Sequence, residues 1–70
     1  MEDRQKRFNR IAEKRTNEII RRIQLLGNCS NKSSYDYSEK EVNKIFNAIG
    51  KELKQAKARF TFIRSKSFKL

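Results

Sequence analysis

This chain has no proline, no histidine and no tryptophan, and its 70 residues include one cysteine and two glycines. Each shortage removes a class of protein. The near absence of proline and glycine excludes a collagen-like repeat and leaves no glycine-rich loop to cradle a phosphate. Without histidine there is no imidazole to serve as general base or metal ligand, and the acids are scattered rather than paired. No enzymatic chemistry, no metal and no cofactor are therefore expected. Cys29 alone cannot close an internal bridge, so a reducing compartment is expected, and it reads as an unreactive loop thiol before any redox or metal role. No apolar run reaches the length of a signal peptide or a membrane span, which points to a cytoplasmic protein. Without such a signal, the triplets Asn28-Cys29-Ser30 and Asn31-Lys32-Ser33 are accidental as glycan acceptors.

What the chain does have is positive charge. It carries 18 Lys and Arg against 8 Asp and Glu, a formal net charge of +10, with 36% hydrophobic and 37% charged residues. A chain of this length forms one small domain and buries little apolar surface by itself, so a second copy, a partner or an unusually regular helix contact is expected to complete it.

The apolar residues recur at helical spacing. Phe8, Ile11, Ala12, Thr16, Ile19, Ile20, Ile23 and Leu26 follow steps of three and four, which predicts an amphipathic helix from Asp3, as N-terminal cap, to Leu26. Gly27 is expected to stop it in the left-handed conformation. The acid-before-base pairs Glu2 with Lys6, Asp3 with Arg7 and Glu18 with Arg22 add a few tenths of a kcal/mol each. The second helix has the clearer start, because Ser38-Glu39-Lys40-Glu41 is a capping box flanked by Tyr37 and Val42 at the hydrophobic-staple positions. Val42, Phe46, Ile49, Leu53, Ala56, Phe60 and Ile63 then form a coiled-coil-like seam, predicting a helix over residues 39–64 followed by a basic tail, 65–70. Gly50 inside it is expected to mark close approach of a neighbouring backbone.

Residues 27–37 form an eleven-residue polar loop, longer than a simple helix connection needs, so internal order or a task of its own is expected. The two stripes match in one antiparallel register, with Leu26 facing Val42, Ile23 facing Phe46, Ile19 facing Ile49, Thr16 facing Leu53, Ala12 facing Ala56 and Phe8 facing Phe60. The fold class expected is all-α, a single-domain antiparallel helical hairpin. Ile11, Ile20, Leu25 and Ile45 lie beside the stripes, which favours a homodimer closing a four-helix bundle, or a protein partner covering the same strip.

Such a hairpin would pool the charge. Residues 1–15 hold six bases and three acids, residues 51–70 seven bases and one acid, and residues 16–50 five bases and four acids. Arg4, Lys6, Arg7, Arg10, Lys14 and Arg15 would then lie beside Lys54, Lys57, Arg59, Arg64, Lys66 and Lys69. A polyanion relieves the repulsion among such groups while releasing its own counterions, so nucleic acid, DNA or RNA, is the expected partner. The nucleic-acid-binding candidates are Arg7, Arg10, Lys14, Lys54, Lys57, Arg59, Arg64 and Lys66, with Phe62 and Phe68 available for stacking or for finishing the core. A basic face can also be merely solubilising. An anionic membrane is a poorer partner, because the facing helix already claims the apolar stripe. A second reading makes Asn28, Asn31, Tyr35 and Tyr37 a polar recognition tip for a host or element protein, the chain acting as adaptor or inhibitor. No zinc-finger or helix-turn-helix signature is present, so base-specific readout is not expected.

In Arg15-Thr16-Asn17-Glu18-Ile19-Ile20, in the stretch from Leu25 to Tyr37, and in Glu41-Val42-Asn43-Lys44-Ile45-Phe46, the chain resembles a group of short bacterial proteins from Gram-positive genomes, plasmids and other mobile elements. The resemblance spans roughly residues 7–60 and is densest in the loop. It implies a bacterial accessory protein and assigns no activity to any one position.

Overall fold

A computed structural model describes residues 2–60. They are helical, with no strand among them: α1 spans Arg4–Gly27, a 3-10 turn spans Asn28–Ser30, and α2 spans Glu39–Ala58. The chain divides into two units, Met1–Asp36 and Tyr37–Leu70, each carrying one helix.

In the first unit Asp3 is the N-cap of α1, as its position suggests. Its extended backbone lets the carboxylate accept the Lys6 N–H at 2.7 Å, satisfying one of the donors that a helix start leaves without a partner. Glu2 takes a different partner from the one its spacing suggests. Its carboxylate accepts from Arg10 in a fork, Nε at 3.0 Å and Nη2 at 2.9 Å, two turns along rather than one. Arginine's planar donors fit a carboxylate in this way and a lysine ammonium does not, which explains why Lys6 loses the competition.

Gly27 does not stop α1 in the left-handed conformation. It is the last helical residue, with φ −58° and ψ −30°, and no glycine among the described residues has positive φ. The helix tightens instead of reversing: the Asn28 N–H approaches the carbonyls of Gln24, Leu25 and Leu26, and the 3-10 turn continues the same hand. A Cβ added at Gly27 would meet nothing within 4 Å. The loop after this turn has the internal order expected of it. The Asn31 carbonyl accepts the N–H of Ser34 (3.1 Å) and of Tyr35 (3.0 Å), and its side-chain oxygen accepts the Ser33 N–H (3.1 Å) and hydroxyl (2.6 Å).

In the second unit the capping box is complete. The Ser38 hydroxyl accepts the Glu41 N–H at 3.1 Å, and the Glu41 carboxylate accepts the Ser38 N–H at 2.9 Å. Tyr37 and Val42, the staple positions, are both partly buried. At its far end α2 finishes at Ala58 rather than near Arg64. The N–H groups of Arg59 and Phe60 turn back to Ala56 and Lys57, closing the last turn tightly just where aromatic and β-branched residues replace good helix formers. Phe60, expected to extend the seam, therefore lies past the helix. Ile63, Arg64 and the basic tail, 65–70, lie outside the described residues.

Each helix separates its surface by residue type. On α1 Phe8, Ala12, Ile19, Ile23 and Leu26 fall within an arc of about 60°. On α2 Val42, Phe46, Ile49, Leu53 and Ala56 fall within about 80°. These stripes are open. Phe8, Ile19, Phe46 and Leu53 are each 49% to 52% exposed, and no described residue is fully buried.

Candidate nucleic-acid interface

Five of the eight basic residues of α1 occupy the side away from its apolar stripe, whereas Arg4, Arg15 and Arg22 flank the stripe. At 100° per residue Arg7, Arg10 and Lys14 share an arc of about 60° whose centre is opposite Ala12 and Ile19. The same arithmetic brings Arg21 into this row. The row is not purely basic, however. Glu18 stands among these residues, one turn from both Lys14 and Arg21, and Arg10 is already engaged by Glu2. That carboxylate raises the Arg10 pKa above the ordinary arginine value, a small desolvation effect opposing it.

α2 is arranged differently from the expectation. Lys54 lies on the polar side, but Lys57, one turn on, falls at the edge of the apolar stripe about 60° from its centre. Arg59 is not in the helix at all; it caps the C-terminus, where a cation meets the negative end of the helix dipole. Arg64 and Lys66 lie outside the described residues, as do Phe62, Phe68 and Lys69. The row opposite the apolar stripe of α2 consists of Lys40, Lys44 and Lys51, with Lys54 at its margin. Asn47 falls between them, with Asn43 and Gln55 at the two margins. Glu39, Glu41 and Glu52 stand about 100° round the helix from this row, so no acid interrupts it.

Summing charge along the chain conceals this face. Residues 16–50 contain five bases and four acids and look nearly neutral, yet in α2 the two signs are on different sides of the cylinder. Placing every residue by angle against the apolar stripe, rather than by segment, was the signal available for Arg21, Lys40, Lys44 and Lys51. A shallow, open depression lies along the start of the row between Lys40, Asn43, Lys44 and Asn47, bounded by Glu39. It encloses no small molecule; a face of this kind suits a long polyanion.

Comparison with protein-family models, curated proteins and solved structures finds no match.

The loop candidates divide. Asn31 holds the turn together, its carbonyl and its side-chain oxygen both accepting hydrogen bonds within the loop. Asn28 lies at the junction of α1 and the 3-10 turn, and Tyr37 is partly buried at the entry to α2. Tyr35 is the outward member, 54% exposed, and Cys29 beside the turn is exposed and unbridged. Glu41 belongs to the framework. Its carboxyl is held below the usual carboxylate range by the Ser38 backbone N–H it accepts, the Ser38 side chain adding to the effect. No helix among the described residues is long and apolar enough to cross a membrane.

Proposed function

We propose that this protein is a non-enzymatic, cytoplasmic nucleic-acid-binding factor, an accessory or regulatory protein of a bacterial mobile element, that holds its target mainly through phosphates. One observation carries the reading. In a chain of net charge +10, α2 sets Lys40, Lys44 and Lys51 opposite its apolar stripe with no acid among them, and α1 sets Arg7, Arg10, Lys14 and Arg21 opposite its own. A merely solubilising face opposite an apolar stripe carries charge of either sign, whereas this face of α2 carries lysines and no acid, which suits a surface that tracks a polyanion. In this reading α1 and α2 pack antiparallel along their stripes, a second copy closes a four-helix bundle, and the basic rows face outward. Half-exposed Phe8, Ile19, Phe46 and Leu53 favour such cover, since soluble chains seldom leave a continuous apolar row in water. The bacterial and mobile-element setting comes from the resemblance across residues 7–60.

The test is binding of the full chain to a generic duplex across a salt series. Affinity should fall steeply, log K declining by about 0.9 per phosphate neutralised for each tenfold rise in salt. A flat salt response, or no binding at low salt, defeats the proposal.

A second reading, as adaptor or inhibitor of a host or element protein, draws on the ordered loop and the outward Tyr35. It requires one protein retained from extract after nuclease treatment, lost with Tyr35→Ala and kept with Lys54→Glu.

A further inference from the structure

If the chain binds nucleic acid, which surface enters it, and which kind of duplex fits? The two basic rows are not equal candidates. On α1 the row includes Glu18, and Arg10 is already forked to Glu2. On α2 the row Lys40, Lys44, Lys51 and Lys54 runs without an acid for about 21 Å along the axis, and all four side chains are exposed. A phosphate approaching this face meets cations and neutral amides, with Glu39 bounding its first turn.

Those amides supply a second observation. Asn47 lies within this face and Asn43, one turn before it, at its margin just beyond Lys54; both are exposed. Asparagine is a poor helix former, and inside a helix it usually either caps or bonds a neighbour. On α1 Asn9 behaves that way, accepting from Gln5 at 3.0 Å, while exposed Asn17 has no such partner among the described residues. Among the described residues neither Asn43 nor Asn47 has such a partner for its carboxamide. Their separation along the helix, about 6 Å, is close to two base-pair steps, and a carboxamide is the side chain that pairs the N6 and N7 edge of adenine.

We infer that α2 is the recognition helix, entering the major groove of B-form DNA with Lys40, Lys44, Lys51 and Lys54 on phosphates and Asn43 and Asn47 on adenine edges. This inference rests on the nucleic-acid reading and commits that reading to one helix and one nucleic acid. Groove dimensions decide between the two nucleic acids. The major groove of DNA, about 12 Å wide, admits a helix about 10–12 Å across, whereas that of A-form RNA is too deep and narrow. The inference also departs from the absence of a helix-turn-helix signature, since a helix needs only the right face, not that motif, to lie in a groove.

The experiment measures binding of the full chain to DNA and RNA duplexes of equal length, and selects preferred sites from random-sequence DNA. Lys51→Gln should weaken binding to all DNA sequences and reduce the salt slope by about 0.9, whereas Lys57→Gln, at the apolar edge, should change the slope less. Asn43→Ala with Asn47→Ala should leave the slope intact and lower the preference for adenine-containing sites about tenfold or more. Alanine is the better helix former at both positions, so loss of folding does not confuse the result; helicity by circular dichroism checks this. Tighter binding to RNA than to DNA, or a salt slope lowered by Arg7→Gln and untouched by Lys51→Gln, overturns the inference while leaving the broader proposal standing. No binding to either duplex at low salt removes both.

Discussion

Ser38 and Glu41 show what a single pair of residues does for this chain. Each satisfies a backbone N–H of the other, and Ser38→Ala should cost about 1 kcal/mol of stability, read as a lower melting temperature by circular dichroism. The pH dependence has a definite sign. Glu41 has a lowered pKa in the folded chain, so its contribution is present above the ordinary carboxylate range and is lost as the pH falls through that lowered value. Helicity should therefore decline on acidification. Glu41→Gln, which retains a side chain able to accept the same N–H, should flatten part of that decline. An acid titration identical for the two proteins would remove Glu41 from the account. This pair was legible from the letters Ser38 and Glu41 because its chemistry is local. The Glu2 fork to Arg10 was not, because spacing names every base within reach and only side-chain geometry chooses between lysine and arginine.

For whole elements, starts were easier to read than ends. Asp3 and Ser38 announce their helices with side chains that cap, whereas the stops depend on how the last carbonyls are met. Gly27 is the instructive case. A glycine after an apolar run suggests a left-handed stop, yet a helix can also close by tightening into a 3-10 turn, and then glycine is merely a weak helix residue. With φ −58° and open space around its Cα, Gly27→Ala should stabilise α1 by about 0.4–1 kcal/mol, seen as increased helicity and melting temperature. Loss of helicity would show that something not evident in α1 itself needs the glycine. A Cβ added at Gly50 likewise meets nothing within 4 Å, so no described backbone makes the close approach expected there. The outer row of α2 escaped a reading by segments for a related reason. A helix distributes adjacent residues around a cylinder, so Glu39 and Lys40, neighbours in the chain, face about 100° apart.

At the scale of the molecule the apolar stripes and the basic rows have to be explained together. The two stripes are independently periodic and each is open along its length, with Phe46 52% and Leu53 51% exposed. If they cover one another, Phe46 becomes a core residue, and Phe46→Ala should cost about 3–5 kcal/mol, whereas Lys40→Ala should leave the melting temperature nearly unchanged. If the stripes stay in water, both substitutions should be mild. Assembly from two copies adds a further mark: the melting temperature should rise with protein concentration.

The central claim is that stripes turned inward leave lysine and arginine turned outward, toward a nucleic acid. Light-scattering mass of the full chain, alone and then with a short DNA duplex at low salt, tests it most directly. The account predicts a particle of two 8.4 kDa chains that gains the mass of the duplex and releases it as salt is raised. A particle whose mass does not change when duplex is added at low salt would contradict it.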